Sequence, residues 1–271
     1  MVSSYCCICN KKRRSKFAEF IKYKNETVFK VYEGINIYKC LKCGVLKTFS
    51  NKIAPKESRI DLYEDNMAKF KKILGFLVKQ VQKYKKSGNV LDIGCSSGIL
   101  LELLKSVGYK TFGIEPNKQA YLKAKEKFGS YIFQGTLDKF IQKNKTKFDV
   151  IIYNHVLEHI YDPRHELEIV RNILKKEGII ILGLPNTANL IFYLRGKYWE
   201  SLMPREHIWH FSKGQIKIFL NSLNFEVIKT YYSNHDRSDY PLLKKLYFSI
   251  LSILSRLFNT GEAMLIIAKH K

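Results

Sequence analysis

From Asn89 to Leu184, short apolar runs alternate with longer segments of helical period, and this alternation limits the fold more than any other feature of the chain. Asn89–Ile93, Thr111–Ile114, Tyr131–Phe133, Phe148–Tyr153 and Gly178–Leu184 read as strands. Ile99–Val107, Lys118–Phe128 and Leu167–Leu174 read as helices between them. Strands joined by helical crossovers form a parallel sheet covered on both faces, which makes the fold class α/β. Phe225–Thr230 and Ala263–Ala268 add two further strands and leave 231–260 as an insertion. With 271 residues, 46% of them apolar, the chain can bury one full α/β domain plus a small appendage.

The turn after the first of these strands carries chemistry. In Val90-Leu91-Asp92-Ile93-Gly94-Cys95-Ser96-Ser97-Gly98 a buried strand ends in small residues directly before a helix, so a ligand can approach backbone N–H groups at the helix start. Ser96 stands where a glycine is expected. Glu115 closes the next strand about twenty residues on, where a ribose diol would lie. A dinucleotide needs a third glycine placed for its pyrophosphate, and that pattern is absent. Asp92 would repel phosphate but suits the cationic, phosphate-free methionine end of S-adenosylmethionine.

Together with GIEPN at 113–117, FDVIIYNHVLEHIYDP at 148–163 and GIIILGLPN at 178–186, this stretch resembles the class I methyltransferases, with their Rossmann-like sheet. The branch it looks most like is that of ubiquinone-type O-methyltransferases and polysaccharide-cluster methyltransferases. The resemblance covers about residues 85–230 and returns at Glu262–Lys269. It implies that Asp92, Gly94, Cys95 and Gly98 hold the methionine portion of S-adenosylmethionine and Glu115 the ribose hydroxyls. It further implies that Gln134, Gly135, Thr136 and Leu137 flank the adenine and that Asn154 sits beside the reacting end.

An oxygen acceptor must lose its proton as it attacks, and histidine is the natural base near neutral pH. The candidates are His155 and His159 after the fourth strand, and His207 and His210 in Pro204–His210. His159 matches the Glu-His pair of the resembling O-methyltransferases and ranks first, then His207, with His155 also a candidate. The competing expectation is that these rings cap a turn or pack on neighbouring aromatic residues. No Asn/Asp-Pro-Pro-aromatic segment follows the fourth strand, where methylation of an exocyclic base amine would require one. Cys95, the one cysteine in the core, lies in the cofactor loop rather than near an acceptor.

Five of the six cysteines fall within the first fifty residues. Cys6-x-x-Cys9 and Cys40-x-x-Cys43-Gly44 are two knuckles, each offering two thiolates from a tight turn, and together they predict a four-thiolate structural zinc site with no open position. Cys7 is read as a spectator. Val28–Tyr32 and Ile35–Tyr38, separated by Glu33-Gly34, predict a hairpin between the knuckles. The expected organisation is a zinc ribbon at 1–50 and a connecting helix at 51–86, through Met67, Phe70, Ile73, Leu74, Leu77 and Val81. A methyltransferase domain at 87–271 follows, with an acceptor lid at 186–212 and an amphipathic insertion at 231–260.

The formal charge of +23 attracts polyanions or reflects a solvated lysine-rich surface. Within 241–258, apolar residues recur at helical spacing with Lys245 and Arg256 on another side, which suits a helix lying on an anionic membrane or packed on its own domain or a second subunit. No basic patch with an apolar run opens the chain, and no stretch reaches eighteen or so apolar residues, so a cytoplasmic protein is expected, at most peripheral at the inner membrane face. The leading reading is O-methylation of a sugar, glycan or lipid-linked small acceptor. The alternatives are an RNA methyltransferase that grips RNA with its ribbon and basic surface, and an inactive zinc-ribbon binding protein.

Overall fold

A computed structural model of the protein describes residues 1–22, 34–50, 67–235, 237 and 240–271. The strand expected at 28–32, its turn residue Glu33 and the stretch 51–66 lie outside the described residues. By contacts the chain divides into two compact units that alternate along it. One draws on Met1–Pro55, Leu157–Arg164 and Gly183–Ile266, the other on Lys56–Val156, His165–Leu182 and Ile267–Lys271.

The chain begins with β1 (Val2–Cys6), β2 (Asn10–Lys22), β3 (Ile35–Cys40) and β4 (Leu46–Ser50), each antiparallel to the next. α1 (Met67–Tyr84) buries Leu74, Leu77, Val78 and Val81, one helical stripe. Ile73, expected on that stripe, is exposed because it lies roughly a quarter turn aside.

Next come β5 (Asn89–Ile93), α2 (Ile99–Ser106), β6 (Lys110–Glu115), α3 (Lys118–Phe128), β7 (Ile132–Gln134), α4 (Leu137–Lys143) and β8 (Phe148–Asn154). β5 pairs in parallel with β6 from Asn89↔Lys110 to Ile93↔Ile114, and with β8 from Val90↔Val150 to Ile93↔Tyr153. β6 pairs in parallel with β7. Val90, Leu91, Val150, Ile151 and Ile152 are wholly buried although successive side chains point to opposite faces, so both faces are covered.

The remainder is α5 (Pro163–Ile173), β9 (Leu174–Pro185), α6 (Leu190–Arg195), β10 (Trp209–His210), α7 (Lys213–Ser222), β11 (Phe225–Ser233), α8 (Leu242–Leu257) and β12 (Ala263–His270). Seven strands in the order β11-β12-β9-β8-β5-β6-β7 form one mixed sheet. From β5 the chain first builds outward through β6 and β7, then returns to the other side of β5 for β8. That reversal is the switch point at which open α/β sheets bind ligands, at the carboxyl ends of the strands.

Several boundaries differ from the sequence expectation. The third strand begins at Ile132, because Gly129–Tyr131 form a 3-10 turn. The helix expected at 167–174 begins at Pro163, whose fixed φ suits a first helical position, and Leu174 already belongs to β9. β10, from the 186–212 segment, pairs antiparallel with β4 (Trp209↔Lys47, His210↔Leu46) and completes the sheet β1-β2-β3-β4-β10. Ile37 and Leu46 of that sheet share a core with Ile191, Phe192, Trp199 and Leu202, and with Phe248 and Leu251 of α8. Packing therefore brings described residues of 1–50, 186–212 and 231–260 into one core.

Candidate functional site

The turn after β5 is shaped by left-handed residues. Gly94 has φ +73°, and a Cβ there would come within 2.6 Å of the Val156 side chain. Gly98, at φ +85°, caps α2 where a Cβ would come within 2.8 Å of the Phe128 ring. Between them Ser96 adopts φ +50°, the conformation for which glycine is the usual residue. The Gly94 and Cys95 amides both donate to the Ile114 carbonyl, at 2.8 and 3.1 Å, tying the loop to β6.

Glu115 completes the loop. Its Oε2 accepts the Ser96 N–H and its Oε1 the Asn117 N–H, both at 2.8 Å. Each carboxylate oxygen has two lone pairs, so the two amides fix the group and leave one acceptor position on each oxygen. Asp92 is buried, and burial first, then the charge of Glu115, pushes its carboxyl up to about 8. The Cys95 thiol is pushed well up by burial and by the same two carboxyl groups, which leaves it inert as a nucleophile. Two acidic groups in a buried loop of small residues fit a ligand that is cationic at one end and carries hydroxyls at the other.

The other expected cofactor residues lie at the ends of the neighbouring strands. Gln134 ends β7, the Gly135 N–H donates to the Glu115 carbonyl at 3.3 Å, Thr136 is the N-cap of α4, and Leu137 is buried. Asn154 ends β8, and His155 follows it, exposed and at φ +56°.

The other compact unit holds the remaining candidate histidines, His159, His207 and His210. The Ile208 N–H donates to the Glu158 carbonyl at 2.9 Å, and the Glu206 and His207 amides both donate to the Met203 carbonyl at 2.9 Å. These bonds draw 203–210 onto the 3-10 turn Leu157–His159. The buried Glu158 Oε1 lies 4.0 Å from His207 Nε2, and the His159 and His207 rings meet edge to face at 4.7 Å. His159 Nδ1 lies 2.9 Å from the Glu206 carbonyl oxygen, which can only accept, so Nδ1 carries a proton. One ligand atom from each of Glu158, His159 and His207 lies within 4.8 Å of the others, a donor set able to hold a cation. His210 bonds Thr48 Oγ1 at 2.8 Å, and burial, then His207, pushes it down to about 3, so it stays neutral.

The four knuckle sulfurs also lie within 4.8 Å of one another, Cys6 to Cys43 at 3.6 Å and Cys9 to Cys40 at 3.7 Å. Thiolates about 2.3 Å from a tetrahedral zinc would be about 3.8 Å apart, so the cluster suggests zinc. Cys6 is held below the usual thiol range, chiefly by the Cys43 Sγ–H and then by the Cys9 and Ile8 amides, against the effect of burial. Cys7 is wholly buried, and burial pushes its thiol well up, as befits a spectator.

Sequence reasoning missed Arg164, whose buried guanidinium donates to the Cys7 carbonyl at 2.7 Å and the Ile8 carbonyl at 2.9 Å, bracing the first knuckle. Among the described residues an open cleft of 720 Å³ is lined by Lys229, Tyr231, Tyr232, His235, Ser252 and Ser255, with further polar groups.

A family model described as a methyltransferase domain matches residues 63–230, more than half of the chain. The chain is similar to the ubiquinone biosynthesis O-methyltransferases of Glaesserella parasuis and Histophilus somni, at 29% and 33% identity over 128 residues. Each match covers 43% of this chain and 54% of the relative, so the chain spans about half the length of the curated relatives it matches. In fold it is similar to a methyltransferase dependent on S-adenosylmethionine from Archaeoglobus fulgidus (TM-score 0.53, 20% identity, 72% of this chain and 94% of that one). It is likewise similar to the magnesium protoporphyrin IX methyltransferase of Synechocystis PCC 6803 with bound S-adenosylhomocysteine (TM-score 0.53, 15% identity, 78% and 87%). The chain belongs to the methyltransferase-domain family and is related over part of its length to the ubiquinone biosynthesis O-methyltransferases.

Proposed function

We propose that the protein methylates an oxygen atom of a sugar, glycan or lipid-linked small acceptor, with His159 taking the acceptor proton. The observation that carries this reading is the His159 Nδ1–H···O=C bond to Glu206, which leaves Nε2 of the neutral ring as the proton acceptor. His207, edge-on to His159, steadies that ring beside the Glu158 carboxyl. The likeness to ubiquinone biosynthesis O-methyltransferases supports an oxygen nucleophile, and the tyrosine- and lysine-lined cleft supports a hydroxyl-rich acceptor.

S-adenosylmethionine supplies an electrophilic methyl carbon on a cationic sulfur. For this group Asp92, Gly94, Cys95 and Gly98 take the methionine end, Glu115 the ribose hydroxyls, Gln134–Leu137 the adenine, and Asn154 the reacting end. Cys6, Cys9, Cys40 and Cys43 hold one structural zinc. A His159→Gln variant is expected to lower kcat by about 10²–10⁴-fold with cofactor affinity unchanged within about twofold. Methyl transfer from labelled cofactor into a fractionated host extract identifies the acceptor class. Label in lipid or small glycan fractions supports the proposal; label in ribonuclease-sensitive material overturns it in favour of an RNA acceptor.

A further inference from the structure

α8 is apolar on two opposite sides, and only one of them is covered. Phe248 and Leu251 face the core shared with Ile191 and Phe192, and the buried Ser255 continues that line. Leu243, Leu246, Ile250, Ile253 and Leu257 recur at intervals of three and four, a stripe on the far side of the helix. Each is more than half exposed, as is Phe258 just beyond the helix end. α6 extends the surface, because Ile191 and Phe192 pack in the same core as α8 while Tyr193, 84% exposed, and Leu194 and Tyr198, about half exposed, point outward. So much exposed apolar surface on two neighbouring helices far exceeds the scattered single residues of an ordinary surface.

Charge decides what covers it. Between Tyr240 and Gly261 the sequence carries Lys244, Lys245 and Arg256 and no acidic residue, within a chain of formal charge +23. Pairing with a second copy would bring these positive charges together, whereas an anionic surface would neutralise them. Interfacial helices combine a leucine-rich face with flanking lysines, and tyrosines favour the boundary where one end is apolar and the other wet. At 16 residues α8 is about 24 Å long. Among the described residues no helix is long and apolar enough to cross a membrane. We propose that the outer faces of α8 and α6 form a platform that docks the protein on an anionic lipid bilayer, with α8 lying in the plane of the interface.

The test is flotation of the full chain with vesicles of phosphatidylcholine alone and of phosphatidylcholine with phosphatidylglycerol. Binding to the mixed vesicles is expected, weakened at least tenfold by removing phosphatidylglycerol. A double variant, Leu246→Asp with Ile250→Asp, is expected to weaken binding at least tenfold while keeping the wild-type circular dichroism spectrum and cofactor affinity. Lys125→Glu with Lys127→Glu, on exposed positions of α3, is expected to leave binding within twofold. The proposal is overturned if the intact protein does not float, or if the α3 variant loses binding as fully as the α8 variant. A lipid-free dimer in sedimentation that Ile250→Asp abolishes would overturn it in favour of a second copy.

Discussion

Asp92 is buried beside Glu115, and burial and that like charge both disfavour its carboxylate form. Burial lets the folded chain keep the Asp92 proton up to about pH 8, whereas the unfolded chain releases it near pH 4. Between these values the unfolded state binds fewer protons, so this group's contribution makes the ligand-free protein less stable as pH rises from about 4 to about 8. A cationic ligand reverses the preference by favouring the carboxylate. Binding of S-adenosylmethionine at pH 7 is therefore expected to release a proton and to strengthen as pH rises toward 8. Calorimetric titration in two buffers of different ionisation enthalpy measures that release; equal heats in both would refute it. An Asp92→Asn variant is expected to lose at least tenfold in cofactor affinity, about 1.4 kcal/mol. The same change removes the penalised charge and raises the urea midpoint of the ligand-free protein at pH 8, by roughly 1–3 kcal/mol of stability. Ser96 shows why the loop was readable despite its missing glycine: its φ of +50° keeps the backbone path that glycine usually takes.

At the scale of elements, what the sequence revealed is what short-range pattern determines. β5, α2, β6, α3, β8, β11 and β12 were legible because a buried strand is a continuous apolar run and a covering helix repeats every three to four residues. α7 escaped that pattern, although Ser212 and Gln215 form a capping box, a local signal that marks its start. β10 was not legible at all, since its two residues become a strand only by meeting Lys47 and Leu46, more than 160 positions earlier. The histidine cluster was half legible. Its two segments stood out as motifs, but the bond from Ile208 to Glu158 that joins them has no local signature. The same holds for Glu262, which is wholly buried and accepts from Arg237 at 2.6 and 2.7 Å and from Trp199 at 2.9 Å, anchoring the end of the 231–260 insertion. Burial raises the Glu262 pKa, but the bonds from Arg237, the nearby His235 and Trp199 outweigh it, and the group ends below its ordinary value. The stability it contributes is present above its unfolded pKa and lost as pH falls through the folded one. Glu262→Gln is expected to cost about 3 kcal/mol at pH 7, because it leaves the buried Arg237 charge with only the part-exposed Glu200 carboxylate at 3.4 Å. The same variant should flatten the acid side of the stability profile, and an unchanged urea midpoint at pH 7 would show that the pair anchors nothing.

For the whole molecule, the four-cysteine cluster and His159, His207 and His210 belong to one compact unit, while the cofactor loop belongs to the other. The knuckles fix the ends of β1 and β3, β4 pairs with β10, and β10 includes His210 and lies just after His207. Lys47 on β4 is buried with its ammonium 4.7 Å from the Trp209 ring centre and donates to the Ser4 hydroxyl at 3.1 Å, a second tie between the ribbon and the 203–210 segment. If the ribbon were an independent tether for RNA, removing its metal would impair RNA binding and leave transfer to a small acceptor intact. The shared sheet and core argue for the opposite result. Chelation of the zinc, or Cys9→Ser with Cys43→Ser, is expected to lower kcat at least tenfold and to alter the tryptophan fluorescence through Trp209 and Trp199. S-adenosylmethionine affinity should stay within about twofold, because every residue of its loop lies in the other unit. Elemental analysis should find one zinc per chain in the native protein and none in the double variant. Full activity in metal-free protein would mean that the four-cysteine cluster does not support the histidine segment, and would reduce β10 to a packing detail.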